Sequence, residues 1–160
     1  MEKDIILERS RSILINSPNV YLAYLFGSQV DDKTGPISDI DLGVLFKDGM
    51  DILNARSRIA YELGEELQFQ RIDIVSLNEA SVELAYAIIS QGICIYQRDN
   101  AIRVEFEAQV LSRYGDYLPV LRSQLQEILG EKGDERRIQR YREAFRRTER
   151  TLGQIRTSQE

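Results

Sequence analysis

Two short apolar runs joined by a polar bridge constrain this chain more than any other feature. Residues 20–46 read VYLAYLFGS, then ten further residues, then DIDLGVLF. Short apolar runs bounded by glycine, serine and aspartate predict two β-strands. Alternate residues of a strand share a face, about 6.5 Å apart, so Asp39 and Asp41 are predicted to lie on one face together.

The residues at the ends of these runs indicate a site for a hard cation and phosphate. Magnesium prefers oxygen ligands and is usually held by one or two carboxylates together with substrate phosphates. Gly27 and Ser28 offer backbone N–H groups and a hydroxyl to phosphate oxygens, and glycine permits close approach of the backbone. A third carboxylate, Asp73, lies in the apolar run RIDIV at 71–75.

Gly27-Ser28, ten residues and then Asp39-x-Asp41 resemble the signature of the minimal nucleotidyltransferases, small members of the DNA polymerase β-like superfamily. In that superfamily an acid on a neighbouring strand completes a triad with the paired aspartates, and Asp73 matches it. The resemblance covers roughly residues 20–97, with a helical continuation to about residue 129. It implies an α/β (α+β) fold with a short mixed sheet, helices on one face and a C-terminal helical extension.

The resemblance also implies roles for the site residues. Asp39, Asp41 and Asp73 would be catalytic residues and metal ligands in an arrangement for two magnesium ions, and Gly27 and Ser28 would bind the phosphates of ATP. Stand-alone proteins of this size and motif resemble the antitoxin of HEPN/MNT toxin–antitoxin pairs. That antitoxin transfers AMP to a tyrosine of its ribonuclease partner. The implied protein is a cytoplasmic protein adenylyltransferase in a hetero-oligomer with a HEPN-type toxin.

Two alternative functions stay open at this point. The chain resembles small antibiotic nucleotidyltransferases in the same motif, so a small molecule is another possible acceptor. Catalysis is vestigial in a third interpretation, in which the antitoxin acts by binding alone. For Asp73, a structural salt bridge to Arg71 or Arg58 is the alternative to a catalytic role, because an unpaired charge in an apolar strand is costly. The aspartates at 31 and 32 are interpreted as a solvated loop.

Composition excludes several classes of chemistry. The chain has 160 residues, one cysteine and no histidine. The absence of histidine removes Ser-His-Asp triads and nearly every zinc site, so carboxylates must carry the chemistry. The single Cys94 excludes an internal disulfide, fits a reducing compartment and is interpreted as an inert core residue. No apolar run approaches the length of a membrane span, and the first residues lack the apolar core of a signal peptide.

The remaining pattern predicts alternating helices and strands. Helices are expected at 4–16, 51–68, 78–91 and 100–129, and further strands at 71–75 and 92–96. The predicted apolar stripe of the second helix includes Leu53, and Pro119 is expected to kink or break the helix at 100–129. A nucleotidyltransferase core at 1–98 and a helical extension at 99–160 follow as the expected domains.

Charge separates the C-terminal segment, residues 131–160, from the rest. Residues 1–130 carry 12 lysines and arginines against 20 aspartates and glutamates, a net charge of −8, while residues 131–160 carry nine against six, a net charge of +3. A helix with a narrow apolar seam is predicted at 134–155. It is expected to pack on its own domain, to dimerise or to bind the partner. Nucleic acid is a minor option because the rest of the chain is acidic.

Overall fold

The computed structural model describes residues 3–27, 30 and 39–130. The helix predicted at 134–155 and the loop aspartates at 31 and 32 lie outside these residues. The elements in chain order are α1 (Lys3–Ile15), β1 (Val20–Phe26), β2 (Ile40–Phe46), α2 (Ile52–Leu67), β3 (Ile72–Ser76), α3 (Val82–Gln91), β4 (Ile93–Gln97) and α4 (Asn100–Gly130). These elements confirm the predicted order of helices and strands.

The four strands form one mixed sheet in the order β3-β2-β1-β4. β1 pairs antiparallel with β2 and with β4, while β3 runs parallel to β2. The parallel pair is joined through α2, as expected for a connection that must return to the same edge of the sheet. The prediction that the third strand lies beside the strand carrying the paired aspartates is therefore confirmed.

Strand alternation divides the core between the two faces of the sheet. The first face buries Ile40, Leu42, Val44 and Phe46 of β2 against residues of α1 and α2, including Leu14, Ile59, Leu63 and Leu67. The predicted stripe of α2 is correct for Ile59, Leu63 and Leu67, but Leu53 is 72% exposed. Consecutive helical residues differ by about 100°, so Leu53 turns away from the face that its neighbour Ile52 shares with the core.

The second face of the sheet carries the carboxylates and is covered in part by α3. Gly43 lies two residues after Asp41 on this face, and a Cβ there would lie 2.9 Å from Cγ2 of Ile88 in α3. The missing side chain lets α3 pack closely on the sheet beside the aspartates. The expected arrangement of helices on one face thus holds for α1 and α2, and α3 departs from it.

Local capping defines the ends of α2 and α3. Asp51 accepts a hydrogen bond from the N–H of Asn54 at 3.1 Å, and Ser81 accepts one from the N–H of Leu84 at 3.2 Å. Such caps satisfy backbone donors that have no partner within the helix. α2 ends at Gln68, which adopts a left-handed conformation with φ 51°.

α4 continues through Pro119, so the helix does not break at this residue, and the kink expected as the alternative stays a prediction. Proline removes one helical hydrogen bond and crowds the carbonyl four residues earlier. That carbonyl belongs to Gly115, and glycine adapts its backbone most readily. The chain divides into two compact units, residues 1–113 and 114–160. The predicted boundary after residue 98 stays a prediction. Within the described part of the chain, no helix combines the length and the apolar character needed to cross a membrane.

Candidate active site

The strand directions bring the predicted site residues to one end of the sheet. β1 ends at Phe26, and the antiparallel β2 begins beside it, with Phe26 paired to Asp41. β3 is parallel to β2, with Asp41 paired to Asp73. Residues paired across adjacent strands share a face of the sheet. The last residue of β1, the second of β2 and the second of β3 therefore form one row on the face that α3 partly covers.

Asp41 and Asp73 are the centre of this row. Asp41 is half-buried between Phe26 and Asp73, and Asp73 is exposed at the edge strand. Burial raises the pKa of Asp41 above its ordinary value, and the negative charges of Asp73 and Asp39 raise it further. Neither Asp41 nor Asp73 forms an ion pair with any residue that the structure describes.

Asp39 lies one residue before β2 and is paired with Arg71. Its Oδ1 is 3.5 Å from Nη1 of Arg71, and both side chains are more than half exposed. The backbone holds the two residues side by side, since the N–H of Ile40 donates to the carbonyl of Arg71 at 3.0 Å. The salt bridge considered for Asp73 is thus made by Asp39 instead, and Arg58 pairs with Glu62.

Gly27 lies against the Asp41 carboxylate. Its φ is +75°, and a Cβ at this position would collide with Oδ2 of Asp41. The carbonyl of Gly27 accepts a hydrogen bond from the N–H of Val30 at 3.1 Å, and Nζ of Lys3 in α1 lies 3.4 Å from the carbonyl of Val30. Ser28 lies outside the described residues, so its predicted contact with phosphate stays a prediction.

The donor set fits a hard divalent cation, although a complete ligand cage is not formed. Asp41 and Asp73 present only carboxylate oxygens, they are in register, and their mutual repulsion is relieved by a cation. Among residues 3–27, 30 and 39–130, no three acidic, histidine or cysteine side chains are gathered closely enough to hold a metal ion. The third carboxylate, that of Asp39, instead contacts Arg71.

A cavity of about 240 Å³ lies at the other end of the same strands. It is lined by residues at the start of β1 and the end of β2, together with Met50, Asn54 and Arg58 from the turn before α2 and from α2 itself. The three aspartates do not line this cavity. The open face that carries them is therefore the better candidate for phosphate chemistry.

Sequence reasoning placed the three aspartates and Gly27 but did not assign Arg71 to Asp39. Arg71 precedes Asp73 by two residues, as Asp39 precedes Asp41 by two. Because the parallel register pairs Asp41 with Asp73, the residues two positions earlier, Asp39 and Arg71, lie opposite each other as well. The pattern R-x-D beside D-x-D is therefore a usable indication of this ion pair, provided that the register is known.

Cys94 lies in β4, outside this row of residues. It is half-buried, and burial raises the pKa of its thiol. A thiol in such surroundings is less reactive than an exposed one, because the thiolate is the nucleophile. Cys94 packs against the buried residues of the second face, and its lack of reactivity stays a prediction.

Comparison with known proteins supports the same chemistry. Residues 8–101 match the family model described as polymerase beta, nucleotidyltransferase. The chain is 34% identical over 101 residues to the protein adenylyltransferase MntA of Shewanella oneidensis, a match that covers 62% of this chain and 69% of the relative.

Solved structures have the same fold. A chain from the complex of tri-AMPylated Shewanella oneidensis HEPN toxin with MNT antitoxin superposes with a TM-score of 0.63 at 24% identity, covering 80% of this chain and 99% of that chain. A chain from a toxin–antitoxin structure with AMP-PNP gives 0.63 at 26% identity, covering 81% and 99%. The predicted fold and resemblance are confirmed, and the chain belongs to the polymerase β nucleotidyltransferase family.

Proposed function

We propose that this protein is a magnesium-dependent adenylyltransferase that transfers AMP from ATP to a tyrosine of a cognate HEPN-type ribonuclease toxin and so neutralises the toxin. The observation that carries the proposal is the in-register pair Asp41 and Asp73, with Gly27 against the carboxylate of Asp41. Family membership supports nucleotidyl transfer as the reaction class. The similarity to a protein adenylyltransferase and to a toxin–antitoxin structure with AMP-PNP supports the acceptor, the partner and the nucleotide.

Each site residue has a distinct role in the proposed mechanism. Asp39 and Asp41 would hold two magnesium ions, and Asp73 would share one of them. When bound, magnesium neutralises the charge of the triphosphate and lowers the pKa of the attacking hydroxyl. Gly27 and Ser28 bind the β- and γ-phosphates and orient the α-phosphorus for in-line attack. Because Gly27 lies against Asp41, the phosphates and the carboxylates are brought to the same point.

The proposed reaction exchanges one phosphorus–oxygen bond for another. The tyrosine oxygen of the toxin forms a bond to the α-phosphorus, the bond to the bridging oxygen breaks, and pyrophosphate leaves. Asp73 accepts or orients the proton of the tyrosine hydroxyl, since it is the exposed carboxylate of the pair and is therefore open to an acceptor. A location in the cytoplasm, where ATP and magnesium are supplied, belongs to this proposal.

The test is transfer of label from α-labelled ATP to the purified product of the adjacent gene, with magnesium present. We expect a labelled partner that has lost its ribonuclease activity, and no label in excess EDTA. Replacing both Asp39 and Asp41 with Asn should abolish labelling. Asp48→Asn, an exposed aspartate in the turn after β2, is the matched control and should label normally. Undiminished transfer in EDTA or in the double variant would overturn the assignment.

The same experiment separates catalysis from neutralisation by binding alone. If the double variant forms the complex and suppresses the ribonuclease without transferring label, the binding-only interpretation replaces the proposal. If the partner remains active and unlabelled while a small antibiotic becomes labelled, the acceptor is a small molecule. We expect neither outcome, because the carboxylate row is intact in sequence and the two central acids are paired in register.

A further inference from the structure

Arg71 is a cation that lies beside the acidic row. It pairs with Asp39 across the β2–β3 edge, at 3.5 Å between Nη1 and Oδ1. Arg71 and Asp73 are two residues apart, and so are Asp39 and Asp41. Alternation therefore directs the guanidinium to the same face as the carboxylates. The arrangement neutralises one of the three acids and leaves Asp41 and Asp73 without an ion pair to the described residues.

The backbones of the two residues are held together by a hydrogen bond, but the ion pair between their side chains is weak. The hydrogen bond from the N–H of Ile40 to the carbonyl of Arg71, 3.0 Å long, fixes the backbone of the two residues side by side. Their side chains are 64% and 53% exposed. Ion pairs with that exposure contribute little to stability, because water screens the charges and both side chains lose freedom on pairing. A ligand that binds Asp39 more strongly can therefore displace Arg71, and one that binds Arg71 more strongly can displace Asp39.

Release of Arg71 would leave both carboxylate oxygens of Asp39 free to join the other two acids. In the part of the chain that the structure describes, Asp39 contacts Arg71 and no three acidic side chains are grouped closely enough to hold a metal ion. If a divalent cation took up the carboxylate of Asp39, the guanidinium would be released but would stay near the site, since the carbonyl of Arg71 is hydrogen-bonded to the N–H of Ile40. The five donors of a guanidinium match phosphate oxygens in a planar, two-pronged geometry. The nucleotide phosphates are the new anions that arrive at this point.

We propose that Arg71 is a positioning residue that exchanges one anion for another, holding Asp39 in the metal-free protein and binding the phosphates of the nucleotide once Asp39 holds the cation. This inference rests on the proposed function, because it requires a metal–nucleotide complex at the carboxylate row. It gives Arg71 opposite effects on two ligands. Arg71 weakens the binding of a cation without nucleotide, because both compete for Asp39. It strengthens the binding of the cation–nucleotide complex, because it contacts the phosphates.

Calorimetric titration with two probes tests the exchange. The probes are Mn²⁺ alone, and Mn²⁺ with α,β-methylene-ATP, which lacks the bond that transfer breaks. For Arg71→Gln we expect Mn²⁺ alone to bind about twofold to fivefold more tightly, because Asp39 no longer has to leave an ion pair. This ratio of dissociation constants corresponds to the free energy of an exposed ion pair. We expect at least about tenfold weaker binding of the Mn²⁺–nucleotide complex, because a charge-assisted hydrogen bond pair is lost. Arg71→Lys keeps the charge and should lose less nucleotide affinity.

Two further variants make the result specific. Arg58→Gln removes another exposed arginine with a carboxylate partner, Glu62 at 2.8 Å, and should bind both probes as the wild type does. Asp39→Asn should abolish the effect of Arg71→Gln on Mn²⁺ alone, because the competition acts through Asp39. Both readouts are binding equilibria and do not depend on turnover.

The outcomes distinguish failure of this inference from failure of the proposed function. If the wild-type protein binds neither probe, the proposed function and the role of Arg71 both fail. If the wild type binds both and Arg71→Gln is unchanged, only the role of Arg71 is overturned. Weakening of both probes by Arg71→Gln also overturns it, because a general loss of structure or charge balance moves both affinities in the same direction.

Discussion

Gly27 lies so close to Asp41 that no side chain fits between its Cα and the Asp41 carboxylate. The glycine also has φ +75°, a conformation that costs other residues about 1–2 kcal/mol. Gly27→Ala should therefore destabilise the protein and displace Asp41. We expect the rate of nucleotidyl transfer to fall by about 100-fold or more, because small misplacements of reacting groups lower the rate by this much.

Gly49 offers a matched control for this variant. Its φ is +78°, and a Cβ there would meet nothing within 4 Å. Gly49→Ala should lose a similar free energy of unfolding, measured by urea denaturation, and keep its activity. If both variants retain activity, contact between Gly27 and Asp41 is not needed for the reaction.

Asp41→Asn should separate stability from function. Burial, then Asp73 and Asp39, raise the pKa of Asp41 above its ordinary value of 3.8, so the folded protein holds this proton more tightly than the unfolded chain. The favourable contribution of the neutral form is complete below pH 3.8 and is lost as pH rises through the raised pKa. In EDTA, the variant should therefore melt at a higher temperature than the wild type at pH 7.

The melting advantage of Asp41→Asn should vanish below pH 3.8, where the wild-type carboxyl is also neutral. Nucleotidyl transfer should fall by more than about 100-fold. Even residues that only hydrogen-bond to a metal ligand usually change metal affinity or activity about tenfold to 100-fold when they are replaced. Asp48→Asn, in the exposed turn after β2, is the control for a simple change of net charge. A lower melting temperature at pH 7 for the Asp41 variant would contradict the interpretation of its pKa.

Asp73→Asn should reduce turnover far more than nucleotide affinity. Asp73 is exposed and has no ion pair among the described residues, so its neutralisation should change the free energy of unfolding by less than about 0.5 kcal/mol. Its proposed action is on the attacking hydroxyl rather than on the triphosphate, which places the loss in kcat. An unchanged kcat with a lower melting temperature would assign Asp73 a structural role.

Sequence alone predicted the parts of the fold that depend on local pattern. The alternation of apolar and polar residues in β2 and β3 placed Asp41 and Asp73 on the face opposite the isoleucines. The strand–helix–strand order predicted that β3 lies beside β2, and the structure shows that the two strands are parallel. Together these two inferences bring the acids to one place, because a parallel connection starts both strands at the same edge of the sheet.

The rest of the site depends on register and on distant packing. A shift of one residue between β2 and β3 would turn every side chain of β3 to the other face, so the Asp39–Arg71 pair follows only from the observed register. The position of α3 depends on the missing side chain of Gly43, which is meaningful only when Ile88 is known to lie above it. Neither relation is contained in a local pattern.

The C-terminal segment, residues 131–160, is expected to act through charge. Its net charge is +3 beside −8 for the preceding residues. Truncation after residue 129 should leave binding of ATP and magnesium intact and slow association with the partner, because charged residues mainly raise the rate of encounter. Surface plasmon resonance should show a larger difference from the full-length protein at low ionic strength, where charges are less screened. Equal association rates at all salt concentrations would show that the segment does not steer binding.

Tyr24, Glu107 and Arg103 form a partly buried polar group that joins β1 to the first half of α4. The hydroxyl of Tyr24 donates to Oε1 of Glu107, and Nε of Arg103 donates to the same oxygen at 2.8 Å. Burial raises the pKa of Tyr24, and the bond to Glu107 raises it further, so the phenol stays protonated and remains a donor.

Tyr24→Phe leaves the carboxylate with one fewer donor and should lower the free energy of unfolding by about 1.5 kcal/mol. Tyr61→Phe is the matched control, since Tyr61 is 69% exposed and should change stability by less than about 0.5 kcal/mol. Urea denaturation measures both variants, and equal midpoints would show that the group does not hold α4 to the sheet.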